Sequence, residues 1–106
     1  MQMDFISTNQ LKEGISAGIY TIIDVREPYE RAICSIDSIH IPMGEIETKY
    51  AEIPADKAVV ILCKSGRRAE AVANYLEKEH DYKNISVLTG GIIAWIEEVD
   101  THLESY

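Results

Sequence analysis

Ala58-Val59-Val60-Ile61-Leu62-Cys63-Lys64-Ser65-Gly66-Arg67-Arg68-Ala69 decides how the chain is read. Five apolar residues run up to a cysteine. A short polar loop with one glycine and three cations follows. Ala69, Val72, Ala73 and Leu76 then recur at helical spacing. The pattern predicts a buried strand, a tight loop and an amphipathic helix, with Cys63 where strand becomes loop.

That placement has chemical consequences, because the thiolate, not the thiol, is the nucleophile. Unpaired backbone N–H groups at a helix start favour an anion. Lys64, Arg67 and Arg68 add positive charge, and no carboxylate appears before Glu70. Gly66 opens backbone conformations that a Cβ would forbid, so several amides can turn towards one point. The loop Lys64-Ser65-Gly66-Arg67-Arg68 then reads as an anion-binding cradle around a reactive sulfur. The plain alternative is a packed cysteine ending an apolar strand, since cysteine is among the most often buried residues. The clustered cations and the helix start weigh against it.

The strands around this centre set the fold class. Met3 to Ile6 is a short first strand. Ser7 and Gln10 fit a capping box, so a helix begins near Thr8 and ends at Gly18, with Leu11 and Ile15 towards the core. Thr21–Val25 is a second strand, and its near-continuous apolar run suits a parallel strand covered on both faces. Pro28 fits the first turn of a short helix. Ser38–Ile41 is a short strand, Gly44 to Tyr50 a brief helix, and Pro54–Lys57 the turn into the central strand. A helix over Arg67–Glu79 follows, then a strand over Ile85–Leu88, then a helix from Ile92 to about Glu98 with Trp95 and Ile96 in the core. The acidic tail from Val99 is expected to fray. Alternating strands and helices predict an α/β fold, an open, mostly parallel sheet with helices on both faces. Ligands on such sheets sit at the carboxyl ends of the strands. Cys63, Asp24 to Arg26, and Gly90-Gly91 all fall at such ends.

Composition narrows the function. With 106 residues the chain suffices for one domain, and 46% apolar with 26% charged residues fits a soluble globular protein. No apolar run is long enough to cross a membrane, and the N-terminus lacks the pattern of a signal peptide, so the cytoplasm is the expected compartment. A net charge of −8 argues against nucleic-acid binding. It makes the loop stand out, because 3 of the 10 Lys and Arg residues lie between Lys64 and Arg68. His40, His80 and His102 show no ligand spacing, so a zinc site is not expected. The sequence alone leaves a Cys34–Cys63 disulfide open, and a reducing cytoplasm disfavours it.

Other features read as structural. Asp24 and Arg26 suggest an ion pair or loop hydrogen bonds fixing the neighbouring turn. Glu27, Glu30 and Arg31 read as a solvated face, and Cys34 as a small buried or half-buried residue. Gly90-Gly91 lacks the spacing of a phosphate loop and reads as a tight turn packed beside the active loop. No motif ties His40 to Cys63, as a cysteine–histidine dyad would require.

Four stretches together resemble the single-domain rhodanese family of sulfurtransferases. They are Asp24-Val25-Arg26-Glu27-Pro28-Tyr29-Glu30, His40-Ile41-Pro42, Val60-Ile61-Leu62-Cys63-Lys64-Ser65-Gly66-Arg67-Arg68-Ala69-Glu70-Ala71, and Ser86-Val87-Leu88-Thr89-Gly90-Gly91-Ile92-Ile93-Ala94-Trp95. They occur in the family's order and span nearly the whole chain. The resemblance implies a five-stranded parallel sheet flanked by helices. It also implies that Cys63 is the catalytic cysteine and carries the transferred sulfur as a persulfide, wrapped by the amides of Lys64 to Arg68. The implied partners are a small anionic sulfur donor such as thiosulfate and a cyanide, thiol or protein acceptor. Neither a cofactor nor a metal is expected. One departure stands out. The family usually carries Gly-His-Ile-Pro-Gly-Ala where this chain has Cys34-Ser35-Ile36-Asp37-Ser38-Ile39, which unsettles one wall of the pocket.

Two rival readings remain. A phosphatase or arsenate reductase loop carries Cys-x5-Arg, whereas Ala69 stands six after Cys63 and Arg68 arrives one residue early. A shorter loop suits one sulfur atom better than a tetrahedral oxyanion. A persulfide carrier or interaction module is the other rival, and a carrier shares the catalyst's intermediate.

Overall fold

The structure is a computed structural model and describes residues 4–106. The chain runs β1 (Asp4–Ile6), α1 (Thr8–Ala17), β2 (Tyr20–Asp24), α2 (Pro28–Ile33), β3 (Ile39–His40), α3 (Ile46–Lys49), β4 (Ala58–Leu62), α4 (Arg67–His80), β5 (Ile85–Leu88) and α5 (Gly91–Glu98). Short 3-10 turns, Met43–Glu45 and Tyr50–Glu52, flank α3. The expected strand start at Met3 lies outside the described residues.

The five strands form one parallel sheet in the order β1-β5-β4-β2-β3. This is the expected α/β architecture. β4 is central, and successive side chains on it enter opposite layers. Val59, Ile61 and Cys63 join Val72, Ala73 and Leu76 of α4 in one cluster. Val60 and Leu62 join Leu11, Ile92, Trp95 and Ile96 in the other. Burial on both faces is why the run carries no polar alternation. Truncating Leu76 or Ile61 to alanine would cost about 2–5 kcal/mol. Cys63 and Cys34 lie in the two different layers, and both thiols are free.

Two expectations are corrected here. Ile15 is 43% exposed. The buried stripe of α1 runs through Thr8, Leu11 and Gly14, and the Tyr20 ring lies where a Cβ on Gly14 would be, so Ile15 is turned to the edge. The tail does not fray. Val99, Leu103 and Tyr106 pack against the α1–α5 layer. That packing brings the Tyr106 hydroxyl within hydrogen-bond distance of Glu30 and Arg26. Among the described residues no helix is long and apolar enough to cross a membrane.

Candidate active site

Cys63 sits one residue past the end of β4, with 1% of its surface exposed. The backbone N–H of Gly66 donates to its Sγ at 3.0 Å, and that of Ala69 at 3.4 Å. Gly66 adopts φ +111°, a region that side chains strain to reach, and this turn aims its amide at the sulfur. α4 begins at once, and Ala69 supplies one of its first amides, which have no partner within the helix, to the sulfur. The sequence placed Lys64, Ser65, Gly66, Arg67 and Arg68 around Cys63 as a cradle, and contact through backbone amides is seen at Gly66 and, beyond that set, at Ala69.

The outer side of the loop is held by α5. Ile92 N–H donates to the Cys63 carbonyl at 2.8 Å, and Ile93 N–H to that of Lys64 at 3.2 Å. A trans peptide points its N–H opposite its C=O, so the amides of Lys64 and Ser65 point away from α5. Gly91, at φ +61°, permits this approach. A Cβ there would lie 2.3 Å from the Lys64 carbonyl oxygen and 2.6 Å from that of Cys63. The Gly90-Gly91 turn is therefore packed beside the loop, as its sequence suggested.

The three cations differ in their surroundings. Arg67 is exposed and, among the described residues, has no ion-pair partner. Lys64 places Nζ 4.6 Å from the centroid of the Tyr106 ring. Arg68 makes a bidentate pair with Glu30, Nη1 to Oε1 at 2.6 Å and Nη2 to Oε2 at 2.8 Å. Arg68 therefore reaches the site already neutralised, and its charge is tied into the scaffold. Glu30 is 2% exposed and no part of a solvated face, which corrects the expectation from sequence. The Arg68 hydrogen bonds, aided by those from Tyr106 and the Glu27 N–H, outweigh burial and hold its carboxyl at about 2, well below the ordinary 4.5. The same pairing raises the pKa of Arg68.

Behind Glu30 lies a second arginine, buried completely. Arg26 directs Nε and Nη2 to the Asp24 carboxylate, with Nη2 to Oδ2 at 2.8 Å, and both side chains are fully buried. Its Nη2 also donates to the Cys34 carbonyl at 2.8 Å, and its Nη1 to the Tyr106 hydroxyl at 3.1 Å. Burial opposes the Arg26 charge, yet the bonds it donates to Asp24 and Tyr106 more than offset it, and the pKa is raised. The expected ion pair at this turn is present, and removing one partner would cost about 3–5 kcal/mol. Burial is also the leading reason that the Tyr106 phenol is pushed up to about 12. It therefore stays protonated and donates to Glu30 Oε2 at 2.5 Å.

His40 Nε2 bonds the Arg26 carbonyl at 2.6 Å and is not in the sulfur's hydrogen-bond shell. Cys34 is 5% exposed, with its Sγ 3.9 Å from Arg26 Nη1. The divergent segment after it is fixed by arginines, because Arg31 Nη1 donates to Ser38 Oγ at 2.8 Å and Arg26 holds the Cys34 carbonyl. Ser35, Ile36 and Asp37 turn to the face opposite Cys63, where with Tyr20, Ile22 and Trp95 they line a cavity of about 530 Å³. No group of three or more metal-ligating side chains occurs among the described residues.

Glu30 and Tyr106 are the residues that sequence reasoning missed. Glu30 had a signal of its own, since it stands three residues after Glu27 at the start of a proline-led helix and accepts the Glu27 N–H at 2.9 Å. Tyr106 had none.

Comparison with known proteins bears on the family and the fold. Residues 7–98 match the rhodanese-like domain. A Bacillus subtilis protein named "Putative sulfurtransferase YtwF" is 42% identical over 98 residues, covering 90% of this chain and 92% of the relative. A protein of Allochromatium vinosum named "Sulfurtransferase" is 41% identical over 75 residues, covering 70% of this chain and 69% of the relative. The crystal structure of a rhodanese-related protein from Thermoplasma volcanium superposes with a TM-score of 0.82 at 37% identity, over 91% of this chain and 93% of that one. The chain belongs to the rhodanese-like domain family.

Proposed function

We propose that the protein is a sulfurtransferase that moves a sulfane sulfur through a persulfide on Cys63. The observation that carries this reading is the pair of amides, Gly66 and Ala69, converging on a buried sulfur at 3.0 and 3.4 Å. Such dipoles favour negative charge at the sulfur, first as thiolate and then as persulfide anion. The sulfurtransferase names of the relatives point the same way.

In the first step the Cys63 thiolate attacks the outer sulfur of thiosulfate. A sulfur–sulfur bond forms at Cys63, the donor's own sulfur–sulfur bond breaks, and sulfite departs with the electron pair. In the second step cyanide or a thiolate attacks the outer sulfur of the persulfide. It leaves as thiocyanate or a new persulfide, and the Cys63 thiolate returns. This is covalent catalysis of the ping-pong kind. Arg67, exposed and without an ion-pair partner among the described residues, and Lys64 at the loop's start attract the anionic donor. Ser65 and Gly66 contribute backbone to the cradle. Arg68 acts as a brace through Glu30 and keeps the loop's shape. An apparatus made of closely spaced amides fits one sulfur atom and is small for a tetrahedral oxyanion, which weighs against phosphatase chemistry.

Thiocyanate formation from thiosulfate and cyanide tests the reading. The wild-type protein should form thiocyanate with ping-pong kinetics. Absence of thiocyanate with every anionic sulfane donor tried, together with hydrolysis of a phosphate ester, would overturn it.

A further inference from the structure

Tyr106 stands outside the cradle yet is linked to both ends of it. Its ring face lies 4.6 Å from Lys64 Nζ, the residue directly after the nucleophile. The Arg26 guanidinium carbon lies 5.8 Å from the same ring. Its hydroxyl donates to Glu30 Oε2 at 2.5 Å and accepts from Arg26 Nη1 at 3.1 Å. The Glu30 carboxylate in turn holds both terminal nitrogens of Arg68. One side chain thus meets Lys64 directly and Arg68 through one carboxylate.

We propose that Tyr106 is a positioning residue for sulfur transfer: its ring holds the Lys64 ammonium at the loop, so that the charge meeting an anionic donor is set before the donor arrives. The inference rests on the sulfurtransferase reading. The physical case is direct. A half-buried loop lysine such as Lys64 still has four flexible carbons and a strongly hydrated head, so its charge is otherwise spread over many positions. An aromatic face at this distance attracts an ammonium. The ring is held chiefly by its packing against the α1–α5 layer, and its hydroxyl adds bonds to a buried arginine and a buried carboxylate. Packing of Val99 and Leu103 in the α1–α5 layer delivers it there. A purely structural tyrosine would need the hydroxyl bonds and the packing, but not the lysine.

The test is a four-protein cycle of wild type, Tyr106→Ala, Lys64→Ala and the double variant, with Tyr106→Phe as a fifth protein. Each is assayed for thiocyanate with rates normalised to the Cys63 that can be alkylated. Tyr106→Ala should raise KM for thiosulfate about threefold, the effect of losing an exposed cation–π contact, while normalised kcat and KM for cyanide stay near wild type. Tyr106→Phe, which keeps the ring, should restore most of the donor KM. In the Lys64→Ala background the Tyr106→Ala change should have no further effect on KM, which is the signature of a shared interaction. A wild-type KM in Tyr106→Ala would overturn the inference. So would an equal rise in KM with and without Lys64, since that would mean a structural role only. If wild-type protein forms no thiocyanate, the sulfurtransferase reading fails by itself. Sulfite binding to the same five proteins by calorimetry then decides the inference on the same non-additivity.

Discussion

Two cysteines occupy this chain, both buried and both beside positive charge, and their surroundings differ in kind. Cys63 ends the central strand, and its sulfur receives the amides of Gly66 and Ala69 at a helix start. Cys34 ends α2, and its sulfur lies 3.9 Å from an arginine whose charge is paired to Asp24. The guanidinium beside Cys34 belongs to a closed structure with Asp24, Glu30 and Tyr106. Among the described residues, the amides of Gly66 and Ala69 donate to the sulfur and to no carboxylate. The contrast shows that a nearby arginine says little about a cysteine's chemistry until that arginine's other partners are known.

The comparison is broken most severely by removing one sulfur. Cys63→Ser should abolish thiocyanate formation while leaving the thermal unfolding transition close to that of wild type, because serine fills nearly the same space and accepts the same amides. Retention of the wild-type rate would mean that the nucleophile lies elsewhere. Gly91→Ala comes next. Its methyl would collide with the carbonyls of Cys63 and Lys64, and the positive φ adds strain, for a stability loss of about 1–3 kcal/mol by denaturant unfolding. The sulfur's amide shell would shift with the loop, and a displacement of about 1 Å lowers the rate on the order of 100-fold. An unchanged rate would show that α5 does not hold the loop in shape.

Glu30→Gln acts between the two cysteines. It leaves Arg68 and the Tyr106 hydroxyl without their carboxylate, at a cost of about 2 kcal/mol at neutral pH. The effect depends on pH in a defined sense. Glu30 titrates at about 2 in the fold against 4.5 ordinarily. Its contribution is therefore complete above about pH 4.5 and drains away as pH falls towards 2. The stability gap between wild type and Glu30→Gln should narrow over that window. A constant gap would mean that the carboxylate's charge is not what matters. Cys34→Ser is the smallest change. The hydroxyl is buried, but Arg26 is at hand to donate to it, so the cost is about 1 kcal/mol and the sulfur-transfer rate should stay at the wild-type level. A large loss of activity would erase the distinction between the two cysteines.

The strand, loop and helix around Cys63 were legible in the sequence because they are local. Strand, cysteine, glycine and helix start lie within Ala58 to Ala69, and elementary patterning orders them. The sheet was legible for the same reason, since each strand is an apolar run bounded by turn residues. What escaped comes from pairs far apart in the chain. Glu30 meets Arg68 across 38 positions, and Arg26 meets Tyr106 across 80. Nothing near Glu30 or Tyr106 in sequence announces those partners, so one read as solvated and the other as part of a fraying tail. Ile15 was misplaced on a smaller scale, because the Tyr20 ring against Gly14 sets how α1 is rolled on the sheet.

The most direct test of the central claim is the intact mass of the reduced protein after incubation with thiosulfate, with Cys63→Ser measured beside it. The account predicts a gain of one sulfur atom in the wild type, lost on adding cyanide and absent from the variant. No gain in the wild type, or the same gain in both proteins, would contradict it.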